Sequence, residues 1–198
     1  GLQGCSPNVV TYNSAISACS YGERWEQALA LFHQLQAVTL EPSRITHSAV
    51  ISACGAAGQW ARALAMLEDL QTRGPGIDAI ACNDAISACG TGAQWERVLD
   101  LFQGMCRAGP SPDVITYSTV ISTCALCEEW ERALELFAGM HACVVEPNVV
   151  TCGAVVNALE KGSLYVEALG TLRELRCAKL VPSVITYSAA ISACEKNG

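Results

Sequence analysis

Asn8-Val-Val-Thr-Tyr-Asn-Ser-Ala-Ile-Ser-Ala-Cys19 decides how this chain is read, because near-copies of it return at a fixed spacing as far as the C-terminus. The copies are Ser43-Arg-Ile-Thr-His-Ser-Ala-Val-Ile-Ser-Ala-Cys54, Asp78-Ala-Ile-Ala-Cys-Asn-Asp-Ala-Ile-Ser-Ala-Cys89, Asp113-Val-Ile-Thr-Tyr-Ser-Thr-Val-Ile-Ser-Thr-Cys124, Asn148-Val-Val-Thr-Cys-Gly-Ala-Val-Val-Asn-Ala-Leu159 and Ser183-Val-Ile-Thr-Tyr-Ser-Ala-Ala-Ile-Ser-Ala-Cys194. Their first residues fall at 8, 43, 78, 113, 148 and 183, so every interval is 35 residues. A second block keeps the same register: Trp25-Glu-Gln-Ala-Leu-Ala-Leu-Phe32, Trp60-Ala-Arg-Ala-Leu-Ala-Met-Leu67, Trp95-Glu-Arg-Val-Leu-Asp-Leu-Phe102, Trp130-Glu-Arg-Ala-Leu-Glu-Leu-Phe137 and the weaker Tyr165-Val-Glu-Ala-Leu-Gly-Thr-Leu172. A fixed period of about 20 to 50 residues marks a stacked array in which one unit cannot bury its apolar face alone.

The whole chain, 1–198, therefore reads as one array: full units at 9–43, 44–78, 79–113, 114–148 and 149–183, with 1–8 as the tail of a preceding unit and 184–198 as the opening of a sixth. It reads as a piece of a longer array. In the first unit Val10, Ala15, Ile16 and Cys19 recur at helical spacing behind Asn8, a good N-cap, with Pro7 ahead of it. Ser20-Tyr-Gly-Glu23 is a turn, and Trp25, Ala28, Leu29, Phe32 and Leu35 form the apolar stripe of a second helix. Glu41-Pro-Ser43 ends that helix and caps the next, and units two to four repeat the plan, with an irregular link at Gly74-Pro-Gly-Ile-Asp78. Unit five has Tyr165 for tryptophan and carries Gly153 and Gly170 inside helices, each costing about 1 kcal/mol relative to alanine.

Composition narrows the function. The net charge of −7 has the wrong sign for bulk attraction to phosphate backbones. No apolar run reaches the roughly 18 residues of a membrane helix, so no membrane partner is expected. Of the twelve cysteines, Cys19, Cys54, Cys89, Cys124 and Cys194 share one repeat position, where a thiol acts as a small apolar filler. Stacked helices are about 10 Å apart, which is too far for a disulfide between equivalent positions. The single Cys-x-x-Cys, Cys124 to Cys127, has no second pair to complete a zinc site, so neither metal nor cofactor is expected. His33, His47 and His141 fall at three different repeat positions, and no catalytic constellation or small-molecule substrate site is expected.

A 35-residue helix-turn-helix unit that opens Val-Val-Thr-Tyr-Asn, continues Ala-Leu-x-Leu-Phe and closes Pro-Asp or Pro-Asn resembles the pentatricopeptide repeat. The resemblance covers the whole chain and implies an all-α fold, a right-handed α-solenoid of stacked helix-turn-helix repeats with eleven helices and the first helices lining the concave face. It also implies a sequence-specific binder of single-stranded RNA, acting in a mitochondrion or plastid on RNA processing, stability, editing or translation. In the family the fifth residue of a repeat and its last residue read a base, and the second residues of adjacent repeats clamp it. Carried over, the reading pairs are Asn13 with Ser43, Ser48 with Asp78, Asn83 with Asp113, Ser118 with Asn148 and Gly153 with Ser183, and Ser188 opens the next. The clamp positions are Val10, Ile45, Ile80, Ile115, Val150 and Ile185, all β-branched and stiff. A phosphate-reaching lysine near the end of the first helix is common in the family. Here that position holds Tyr21, Ala56, Thr91 and Leu126, then Lys161 and Lys196.

Two alternatives stand beside base reading. Asn8, Ser43, Asp78, Asp113, Asn148 and Ser183 are all preferred N-caps, so capping alone would explain them, and the clamp residues could be helix core. Under that reading the array is a protein-interaction scaffold with other proteins as its partners. Under the first, hydrogen-bond chemistry gives the order of bases. An ionised aspartate only accepts, and so selects the ring N–H of guanine or uracil. Serine and asparagine can also donate, and lean to cytosine or adenine. Together with the family's preference for pyrimidines at a fifth-position asparagine and purines at serine, repeats one to four should read 5′-CGUA-3′.

Overall fold

The start of each first helix follows from one bond. The residue before the helix holds extended backbone, and its side-chain oxygen accepts the backbone N–H three residues on: Asn8 from Thr11, Ser43 from Thr46, Asp78 from Ala81, Asp113 from Thr116, Asn148 from Thr151 and Ser183 from Thr186. Each satisfies a donor that the helix cannot satisfy itself. The computed structural model describes residues 7–22, 24–74 and 76–196. The expectations placed on residues 1–6, on Glu23 in the first turn, on Pro75 in the irregular link and on residues 197 and 198 lie outside the described residues.

Among the described residues there are eleven helices and no strand: α1 Val9–Tyr21, α2 Trp25–Ala37, α3 Arg44–Ala56, α4 Trp60–Arg73, α5 Ala79–Thr91, α6 Trp95–Ala108, α7 Val114–Leu126, α8 Trp130–Ala142, α9 Val149–Lys161, α10 Tyr165–Cys177 and α11 Val184–Glu195. The fold is an all-α repeat solenoid. The chain divides into two compact units: residues through Gly92 together with Gly104–Ser111, and Ala93–Gln103 together with Pro112 onward. In the first, α1, α3 and α5 pack side by side, with α2 and α4 against them. In the second, α7, α9 and α11 form the equivalent row, backed by α8 and α10.

The row is built from small and β-branched side chains. Ile16, Val50, Ile51, Ala53, Cys54, Ala85, Ile86 and Cys89 are buried in the first unit, and Val120, Ile121, Cys124, Val155, Val156 and Leu159 in the second. Of the five cysteines at the shared position, Cys19, Cys54, Cys89 and Cys124 are buried as the spacing predicts, whereas Cys194 on α11 is only half-buried. No disulfide forms among the described cysteines, and burial pushes the Cys124 thiol up to about 11, far from a reactive thiolate. The second helices bury Ala28, Phe32 and Leu35 in α2 and repeat that pattern in α4. Two of their tryptophans, Trp60 and Trp130, lie close under the turn of the following repeat, at Gly92 and Gly162. A Cβ on Gly92 would collide with the Trp60 ring, and one on Gly162 would lie 2.9 Å from Trp130. Arg62 stacks over Trp25 at 4.1 Å and Arg132 over Trp95 at 5.3 Å, adding cation–π contacts between successive second helices.

The turns hold the chain's backbone strain. Positive φ recurs at equivalent positions: Gly58, Ala93, Glu128 and Ser163 after first helices, and Thr39, Val144 and Lys179 after second helices. Val144, at φ 58°, is β-branched and almost fully exposed, so it takes the left-handed conformation without burial to offset the clash. Replacing it with an asparagine, which tolerates that region, should stabilise the protein by about 1 kcal/mol in denaturant melts. Asp84 on α5 is a second local conflict. Burial, with the neighbouring Asp78 charge, pushes its carboxyl up to about 6. The folded pKa lies above the unfolded value, so stability is greatest with Asp84 protonated and falls as pH rises from about 4 to about 6. Asp84→Asn should raise stability at pH 7.5 by about 1 kcal/mol, after discounting for solvent screening, and change little at pH 4. Thermal melts at the two pH values measure the difference.

Candidate nucleic-acid interface

The second residue of each first helix points away from the core. Val10, Ile45, Ile80, Ile115, Val150 and Ile185 are 58% to 79% exposed, a set of stiff apolar side chains at one repeat position. The sequence reading had placed Val10 on the apolar face with Ile16 and Cys19, and the structure corrects this. Six residues at about 100° each put Val10 about 120° around α1 from Ile16, which is fully buried while Val10 is not. These residues are not helix core.

Beside that stripe lie the residues to which the resemblance assigns base reading, and all six of them cap a helix, so any base contact there would have to come from a side chain that also caps. In repeat four Asn148 uses only Oδ1, which accepts Thr151 N at 2.9 Å and Thr151 Oγ1 at 3.0 Å; its amide Nδ2 takes no part in the cap. Asp78 likewise accepts Ala81 N through Oδ1 at 2.9 Å, and Oδ2 takes no part in that bond. Asp113 Oδ1 accepts both Thr116 N at 2.8 Å and Thr116 Oγ1 at 2.9 Å.

Three of the fifth-and-last pairs are brought together, one directly and two through a threonine hydroxyl. Asn13 Nδ2 donates to Ser43 Oγ at 3.4 Å, directly joining the first pair. Ser118 is buried; it donates to Val114 O at 2.6 Å and lies 2.6 Å from Thr151 Oγ1, the same hydroxyl that bonds Asn148. A Cβ added to Gly153 would lie 3.2 Å from Thr186 Oγ1, which in turn lies 2.9 Å from Ser183 Oγ. Ser48 is half-buried on α3 and Asp78 caps α5; Asn83 is half-buried on α5 and Asp113 caps α7; Ser188 is exposed on α11.

The threonine at the third helical position is what sequence reasoning missed. Thr46, Thr116, Thr151 and Thr186 are buried, and three of the caps complete a reciprocal box in which the threonine hydroxyl takes the cap's own N–H. The recurrence of threonine at 11, 46, 116, 151 and 186 was the available signal. His47 was also missed. It is buried against the Phe32 edge at 5.1 Å, donates from Nδ1 to Ser43 O at 3.0 Å and lies 3.4 Å from Asp69, so it supports the backbone at the Ser43 cap. The two lysines at the phosphate position are engaged elsewhere. Lys161 lies 3.8 Å from Glu128, and Lys196 donates to Glu160 at 2.9 Å, holding the Glu160 carboxyl below its usual range.

Comparison with known proteins places this geometry. The chain matches models of the PPR repeat family at residues 7–56, the pentatricopeptide repeat domain at 65–125, 100–162 and 135–197, and the PPR repeat at 45–75. Among curated proteins none matches it. Among solved structures it resembles the pentatricopeptide repeat protein PPR10 from maize, at 28% identity and a TM-score of 0.72, over 99% of this chain and 28% of that one. PPR10 in complex with an 18-nt psaJ RNA element matches with a TM-score of 0.87 and 20% identity, over 98% of this chain and 29% of that one. The PPR domain of Arabidopsis thaliana protein-only RNase P 1, in complex with tRNA, matches at 0.77 and 15% identity, over 92% and 96%. This chain thus spans under a third of the PPR10 structures. The family models cover most of its length, and the chain belongs to the pentatricopeptide repeat family.

Proposed function

We propose that the chain binds single-stranded RNA one base to a repeat, each base held between successive exposed second residues and read by a fifth residue with the cap that closes its repeat. The observation that carries this reading is the set of six β-branched side chains left in solvent beside polar pairs. A folded chain gains nothing from exposing apolar residues at one repeat position, whereas the flat apolar faces of bases can be buried between such side chains. That similar folds carry an 18-nt RNA and a tRNA supports the partner class. Family membership supports action in a mitochondrion or plastid, on RNA processing, stability, editing or translation, by binding rather than by catalysis.

The strand runs parallel to the chain, with a preference for CGUA over repeats one to four and little at repeat five, where Gly153 offers no side chain. A scaffold for other proteins is the competing reading, favoured by the charge of −7 and by the pairing of Lys161 and Lys196 with glutamates. Asp78→Asn separates the two. The ionised carboxylate accepts from a guanine ring N–H, whereas an amide also donates to the ring nitrogen of adenine, and asparagine caps a helix as well as aspartate does. Gel shifts should move the second preference from G to A by roughly tenfold, the worth of one charge-assisted bond, with an unchanged melting curve. Equal binding of CGUA and a scrambled strand, unaltered by the substitution, would leave the scaffold reading.

A further inference from the structure

We infer that Glu160 masks a phosphate site on the outward face of α11: Lys196 and Ser192 hold its carboxylate where an RNA phosphate oxygen would otherwise sit. The inference rests on the RNA reading above and concerns what that reading does with its one well-placed cation. Position comes first. Eleven residues at about 100° each put Lys196 only about 20° around α11 from Ile185, and about 16 Å further along it. Lys196 keeps helical backbone as the C-cap of α11, so it shares the sector in which Ile185 is 79% exposed. The ammonium therefore stands on the face that carries the apolar stripe.

Two donors converge there on one oxygen. Lys196 Nζ donates to Glu160 Oε1 at 2.9 Å, and Ser192 Oγ donates to the same atom at 3.1 Å. An ionised carboxylate has no proton to give, so both directions are fixed. Nζ also donates at 3.4 Å to the Glu160 backbone carbonyl in the last turn of α9, where the helix dipole favours a cation. An ammonium and a hydroxyl around a single oxyanion is a pattern that suits phosphate, and here the chain supplies the oxyanion itself. Glu160 is only 17% exposed, so salt screens the pair less than it would at an open surface. The lysine one repeat back is held differently. Lys161 lies 3.8 Å from Glu128, beyond hydrogen-bond reach, and Asn157 stands where Ser192 does. A neutral pair releases few counterions when a polyanion arrives, so Lys196 adds little to RNA affinity while Glu160 keeps its charge.

Glu160→Gln tests this, because glutamine keeps an oxygen for Ser192 and drops only the charge. The probe is a single-stranded RNA that carries CGUA and continues past it on the 3′ side, titrated by fluorescence anisotropy at several salt concentrations. Glu160→Gln should bind it about threefold more tightly at low salt, the middle of the range for a partly exposed ion pair. The slope of log affinity against log salt should steepen by about 0.7, the worth of one single-strand phosphate contact. Lys196→Met should change neither quantity in the otherwise unaltered chain, and should abolish both gains when combined with Glu160→Gln. Gains that survive in the double variant would mean that glutamine merely removes a repelling charge, and would overturn the inference. So would a Lys196→Met chain that already loses affinity and slope with Glu160 in place, a comparison that does not need the glutamine variant to fold. Both results leave RNA recognition standing. An unaltered chain that binds no RNA would overturn recognition, and this consequence with it.

Discussion

The bond from the third N–H of a first helix to the side chain of the residue before it recurs six times, and the rest of the structure is arranged around it. Without it each first helix would begin with an unsatisfied donor close to the packed row, at a cost of about 1 kcal/mol apiece. Serine, asparagine and aspartate perform this task about equally well, yet they differ as donors and acceptors toward anything outside the helix. The fold is therefore indifferent to a choice that matters at the surface. A position can vary among three residues while every helix still starts at the same place, and under the RNA reading this separates recognition from what holds the array together.

The apolar core imposes the complementary constraint. Within each unit the middle first helix packs on both neighbours, α3 on α1 and α5 and α9 on α7 and α11, so it must be small or β-branched on two faces: Ile51, Ala53 and Cys54 on α3 are all buried. That leaves one outward sector. The second and fifth residues fall on or beside it, while the third points inward. Within each unit a tryptophan and an arginine join successive second helices, Arg62 over Trp25 in the first and Arg132 over Trp95 in the second.

The repeat, the caps and the helical stripes were legible in the sequence because each depends on a few neighbouring residues. Capping needs one residue and an N–H three positions on, and a stripe needs a period of 3.6. Features that depend on two repeats at once were harder to read. Val10 looked apolar and helical, and only its angular separation from Ile16 marks it as outward. Thr46 looked like part of a consensus opening, but its weight comes from Asn13, 33 residues earlier, and from Ser43. His47 shares its repeat position with no other histidine, yet it is held by Phe32, Ser43 and Asp69. Lys161 and Lys196 matched a phosphate-binding position, and their glutamate partners lie at unremarkable positions one repeat back.

Those two ion pairs bear on how such a surface could hold a polyanion. In most nucleic-acid binders, affinity comes largely from lysines and arginines that displace counterions from phosphates. Here the net charge is −7, the lysines at the expected place are paired, and Asp78 and Asp84 add negative charge to the outward edge of α5. Under the RNA reading, the favourable terms are stacking on the exposed valines and isoleucines and hydrogen bonds from oriented amides. Both depend on the base and neither on the phosphate. A reader built this way gains little from non-specific contact, so a mismatch is not masked by backbone attraction. Under that reading selectivity rests on side chains such as Asn148, whose Oδ1 is held by Thr151 N and Thr151 Oγ1 while its Nδ2 takes no part in the cap.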